Sequence, residues 1–148
     1  MTRPVKIKLV GDTQRQAAIE AIRAAPVGQV VTITKPNRTT MQNSLLHKWF
    51  GEIAMHYGDM TLMQVKGQCH MAYGVPIRMQ DDVFAWVWGK TGAKLPYEKQ
   101  CRYLASGELK ISSAMNISQL SEYMTAMARD YRDRGVVLTD PSLQGFNL

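Results

Sequence analysis

The sequence predicts an α+β fold, a small mixed sheet packed with several helices in a single domain, and three observations carry that expectation. Val5, Ile7 and Leu9 alternate with Lys6 and Lys8, the two-residue period of a half-buried strand with a basic outer face. Val30–Thr34 is a second short run rich in β-branched residues. Between and after these runs, apolar residues recur at three- and four-residue spacing, the mark of helices with one buried face. With 148 residues and 45% hydrophobic side chains, the chain is long enough to bury one ordinary core without staples.

Taken in order, residues 4–10 form the first expected strand, broken by Gly11. Asp12 or Thr13 caps a helix running to about Ala25, whose alanines and isoleucines suit close packing on the sheet. Pro26 and Gly28 end it. With Val30–Thr34 this makes a strand–helix–strand opening, either a parallel crossover or an antiparallel pairing with a third strand. A helix then spans the stretch to Tyr57. Thr39 and Gln42 fit a capping box, and Leu45, Leu46, Trp49, Phe50 and Ile53 line its buried face. Thr61 starts another helix to about Tyr73, stopped by Gly74 and Pro76. Asp82 caps the apolar run Val83–Trp88, and Pro96 opens a helix through Leu104. Lys110–Ser112 reads as a short strand. A last helix, capped by Asn116 or Ser118, carries Leu120, Met124, Met127 and Tyr131 to a stop at Gly135. Val136–Leu138 reads as an edge strand. The domain is expected over residues 1–138, with a loose tail from 139 to 148.

Charge narrows the function classes. The formal net charge is +6, and residues through Asp59 hold eight basic against four acidic side chains, so most of the excess sits in the first two-fifths. Such a balance favours a polyanionic partner. No apolar run approaches the roughly 18–20 residues that cross a bilayer, and no signal peptide opens the chain. The expected location is the cytoplasm. Two cysteines are too few for a disulfide framework or a four-ligand zinc site.

Catalytic patterns are sparse. The histidines lack HxxxH or HExxH spacing, and Gly89-Lys90-Thr91-Gly92 falls short of a complete phosphate-binding loop. Asp81, Asp82, Glu98 and Glu108 are the carboxylates from which a metal-dependent nuclease or junction resolvase would be built. Nucleic-acid binding needs cations for phosphates and aromatic faces for bases. Trp86, Trp88, Tyr97 and Tyr103 are interleaved with Lys90, Lys94, Lys99 and Arg102. The start of the Asn37–Tyr57 stretch adds Lys35 and Arg38 beside a helix N-terminus, a seat for a phosphate.

Asn37-Arg38-Thr39, then Gln42-Asn43, Leu46 and Gly51, preceded by Val31-Thr32-Ile33, resembles the NinB (Orf) recombination proteins of lambdoid phages. The closing Arg134-Gly135-Val136 is similar too, and the likeness covers residues 1–57 and about 109–138. His47 stands where the family has a Trp, with Trp49 two residues on. The resemblance implies a cytoplasmic α+β homodimer of phage or prophage origin that binds DNA, single-stranded in preference to duplex, with little sequence specificity. It also implies a mediator role, loading a recombinase onto DNA covered by the host single-strand binding protein. The expected DNA-binding residues are Lys35, Asn37, Arg38, Asn43, Lys48, Trp86, Trp88, Lys90, Lys94, Lys99 and Arg102, with no catalytic residue, metal or cofactor. A nuclease and a protein-binding adaptor are the alternatives.

Overall fold

A computed structural model describes residues 5–34 and 37–148. The chain divides into two compact units, Met1–Lys35 and Pro36–Leu148. The structure is 68% helical, and no strand forms among the described residues, so the expected α+β fold is replaced by an all-helical one.

In the first unit, helix α1 (Asp12–Ala24) follows an extended Gly11 that offers no side-chain cap. The helix lies where its periodicity puts it, but it buries no residue. The runs on either side of it form no regular secondary structure and no ladder. Val5, Leu9, Val30, Val31 and Ile33 are all exposed. Alternation makes a strand only when a second strand supplies hydrogen bonds, and none does so among the described residues.

The second unit holds the core. Helix α2 (Arg38–Tyr57) is amphipathic by sequence and buries Leu45, Leu46, Trp49, Phe50 and Ile53. Against it pack α3 (Leu62–Cys69), opened by a Thr61–Gln64 capping box, and α7 (Ile117–Asp133), opened by an Asn116–Gln119 box. Leu120, Tyr123, Met124, Met127 and Tyr131 of α7 complete the core, so two of the ten methionines fill this seam. Pro76 does not stop the third helix. The backbone widens into a π-turn at His70–Gly74, with the Val75 N–H donating to the His70 carbonyl five residues back, and then continues as α4 (Val75–Arg78). A local π-turn gives the proline ring room and accommodates its missing N–H.

Two short helices follow, α5 (Asp82–Lys90), capped by Asp81 rather than Asp82, and α6 (Tyr97–Ser106). Gly67 lets α3 and α6 touch, because a Cβ there would run into the Cys101 carbonyl. The strand expected at Lys110–Ser112 is instead a bend leading into a 3-10 turn at Ser112–Ala114. Val136–Leu138 joins no ladder: the Val136 N–H donates to the Tyr131 carbonyl at 3.0 Å, and the alternation sends Val136 and Leu138 into the core while Val137 stays exposed.

The tail from Thr139, expected to be loose, is fastened to α2. Glu52 accepts the Thr139 N–H at 3.0 Å and its hydroxyl at 2.7 Å, and Trp49 Nε1 donates to the Thr139 carbonyl at 2.8 Å. Among the described residues no helix is long and apolar enough to cross a membrane.

Candidate functional site

The start of α2 forms one wall of a recess of about 420 Å³ in the second unit. The helix is capped by Asn37, whose Oδ1 accepts the Thr39 N–H at 2.9 Å and its hydroxyl at 2.6 Å. The expected Thr39–Gln42 capping box does not form, because Gln42 is drawn wholly into the core. There its Nε2 donates to Ser121 Oγ at 2.9 Å and to the Ile117 carbonyl at 3.4 Å. Gln42 therefore pins α2 to α7. Asn43, one position on, points the other way, and with Thr40, Ser44 and His47 makes a polar stripe at helical spacing along the recess.

The facing wall is residues 107–113, and several contacts hold it. Asn43 Nδ2 donates to the Ser112 carbonyl at 3.4 Å, and Arg78 Nε to the Lys110 carbonyl at 3.4 Å. The Ile111 side chain sits so tightly on Gly74 that a Cβ could not be added there. The floor is His70 and Leu104, and Lys66 of α3 completes the lining.

No carboxylate lines this recess, while two lysines, two histidines and several hydroxyls do. The positive charge leaves its mark on the imidazoles. Burial lowers the His47 pKa, and the Lys66 ammonium lowers it further. His70 is only 2% exposed; burial first, then Lys66 and His47, bring its pKa down to about 3. It is a neutral ring at pH 7, and its Nδ1 lies 2.9 Å from the Tyr123 hydroxyl. Burial holds Tyr123 in its phenol form by raising its pKa well above the usual value. An oxyanion entering the recess would meet hydroxyls, an amide and uncompensated cations.

The sequence-predicted residues fall in three places. Asn43 lines the recess, and Asn37 caps the helix that borders it. Arg38, expected to face a phosphate there, is not in the lining; its Nη2 donates to the Asn147 carbonyl at 2.6 Å. Lys48 is exposed outside the lining, and Lys35 lies outside the described residues. The middle-segment residues do not reach the recess. Lys90, Lys94, Lys99 and Arg102 are exposed. Trp86 is 66% exposed, whereas Trp88 is 6% exposed and stacked between Phe84 and Tyr103, so its face is closed to a base.

The carboxylates of the nuclease alternative are dispersed. Asp81 accepts the Phe84 N–H at 3.0 Å and faces Arg78, and no group of three metal-ligating side chains gathers among the described residues. Burial raises the Cys69 thiol to about 12.

Lys66, His70, Lys110, Ser112 and Ser113 were not anticipated as site residues. One signal was available: Lys66 and His70 stand four residues apart on one expected helix and so share a face. No family model matches the chain, and no curated protein or solved structure does either.

Proposed function

We propose that this chain binds nucleic acid by neutralising phosphates, with single-stranded DNA as its first partner, and holds it without cutting it. The observation that carries this reading is the recess at the start of α2, lined by Lys66, Lys110, His47 and His70 with no carboxylate. In a chain of net charge +6, such a surface attracts polyanions and releases their counterions on binding. The exposed Trp86, with Lys90 one helical turn along α5, supplies a stacking face next to a cation.

The wider role, a recombination mediator of phage origin acting with the host single-strand binding protein in the bacterial cytoplasm, comes from the resemblance at Asn37–Asn43. The α+β architecture that accompanies that family is not found in the described residues, so the charge and the recess carry more of the reading than the likeness does. A homodimer belongs to the same proposal. The apolar side chains Val5, Leu9, Val10, Val30, Val31 and Ile33 stand in water in the first unit, and a second copy would cover them.

The test is titration of labelled single- and double-stranded oligonucleotides at several salt concentrations, with and without Mg²⁺. If four phosphates are neutralised on a single strand, log affinity should fall against log salt with a slope of about −3. Trp86→Ala should cost about 1–3 kcal/mol, the value of one stacked base. Absence of binding at low salt refutes the reading and leaves a protein-binding adaptor. Mg²⁺-dependent cleavage lost in Asp82→Ala replaces it with a nuclease. Light scattering at twice the mass of one chain supports the homodimer, and a single-chain mass refutes it.

A further inference from the structure

A second depression, an open groove of about 380 Å³, lies on the other side of the 107–113 segment, between it and α5. Leu109 and Lys110 line both hollows, so this stretch of chain is a ridge with one on either flank. The ridge is fastened from both sides. Asn43 Nδ2 donates to the Ser112 carbonyl from the recess side, and Arg78 Nε donates to the Lys110 carbonyl from the groove side.

The two hollows differ in charge. The recess has Lys66 and Lys110 with no carboxylate, whereas the groove balances Arg78 and Lys110 against Asp81 and Glu108. The rest of the groove is apolar: Val83, Phe84, Val87, Leu109 and Ala114. A phosphate is drawn to the first hollow and gains no net attraction in the second. A nucleobase suits the second, being uncharged, with apolar faces and an edge of donors and acceptors. Arg78 is held in place there, its guanidinium 4.9 Å from the Phe84 ring centroid and Nη1 3.8 Å from Asp81 Oδ2. Asp81 is also committed to the Phe84 N–H, while the exposed Glu108 enters neither of the ion pairs formed among the described residues. The exposed Trp86 lies about 60° round the helix from Val83, on the adjoining strip of α5.

We propose that this groove is a nucleobase site, taking a base from the same strand whose phosphates the recess attracts, with Lys110 between the two. The proposal rests on the nucleic-acid reading and adds to it a preference among bases. Glu108 is the acceptor left free, and a carboxylate accepts from the exocyclic amino group of cytosine where thymine presents a carbonyl. A strand is therefore favoured when its bases carry amino groups, whatever their order.

The experiment titrates the full chain with short oligodeoxycytidine and oligodeoxythymidine strands of equal length at neutral pH. These two pyrimidines share a backbone charge and differ at the edge in question. Methyl resonances of Val83, Val87 and Ala114 are followed by NMR. The cytosine strand is expected to bind about fivefold more tightly or better, and all three sets of methyl resonances shift. Glu108→Gln, whose amide donates as well as accepts, brings the ratio toward one while strengthening both strands by removing a negative charge. Glu122→Gln, exposed on α7 outside the groove, leaves the ratio at the parent's value. Equal affinity for the two strands in the parent, or a cytosine advantage that Glu108→Gln does not change, overturns the inference while leaving salt-dependent DNA binding intact. Strands that bind without moving those methyl resonances do the same. Failure of both strands to bind at low salt overturns the nucleic-acid reading and the groove proposal with it.

Discussion

Acid should weaken this fold at pH values where its carboxylates are still ionised, and His70 is the reason. The ring is buried against Tyr123, and Lys66 and His47 face it, so protonation in the folded state is opposed from several sides. Its pKa falls from 6.5 in the unfolded chain to about 3 in the folded one. Between those values the unfolded chain binds a proton that the folded chain refuses. The stabilisation is therefore complete above about pH 6.5 and is lost progressively as the pH falls toward 3. One pKa unit corresponds to about 1.4 kcal/mol, so going from pH 7 to pH 5 should remove about 2 kcal/mol through this residue alone. His47, also lowered by burial and Lys66, adds to the loss in the same direction. Urea unfolding followed by the fluorescence of buried Trp49 measures the effect as a fall in midpoint at constant slope. His70→Asn keeps an amide near Tyr123 but cannot titrate. That variant starts less stable at pH 7 and loses at least 1 kcal/mol less than the parent between pH 7 and 5. An equal loss in parent and variant, or none in the parent, would refute the reasoning.

Two further outcomes follow from the packing. Gly67→Ala drives a methyl group into the Cys101 carbonyl between α3 and α6, and should cost about 1–3 kcal/mol by thermal or urea unfolding; an unchanged midpoint means the two helices can separate freely. Glu52→Ala removes the acceptor for both Thr139 donors and should release the tail, seen as faster amide exchange at Thr139 and more rapid proteolysis beyond Leu138; protection equal to the parent's shows that the Trp49 contact alone holds it.

The helices of the second unit were legible because each carries its own instructions. Thr61 with Gln64 and Asn116 with Gln119 declare two helix starts locally, and the apolar spacing of α2 and α7 declares which faces are buried. The strands were not legible, because a strand is a property of two segments. Residues 5–10 and 30–34 have strand composition, yet their side chains stay exposed and no ladder joins them among the described residues. Val136–Leu138 shows the same ambiguity resolved differently: two-residue alternation also serves a segment outside any sheet that turns alternate side chains into the core. The Thr39–Gln42 spacing fitted a cap, but the core offered Gln42 two partners on α7, and a long-range bond is invisible to a local pattern.

The site follows the same logic, and it explains why Arg38 misled while Lys66 went unnoticed. Arg38 is adjacent in sequence to the helix start, but adjacency along the chain fixes only the backbone; the guanidinium reaches the Asn147 carbonyl, 109 residues away. Lys66 and Lys110 come to the recess because Gly67 lets α3 approach α6 and Arg78 and Asn43 anchor the 107–113 segment. Charge at the start of α2 is thus supplied by other elements, and its strength depends on their packing. Loosening the α3–α6 contact should weaken phosphate binding even though no residue of the recess is touched. Gly67→Ala therefore tests both claims in one protein: reduced stability together with reduced phosphate response supports a packed-in site, and reduced stability with full response separates the recess from the fold that surrounds it.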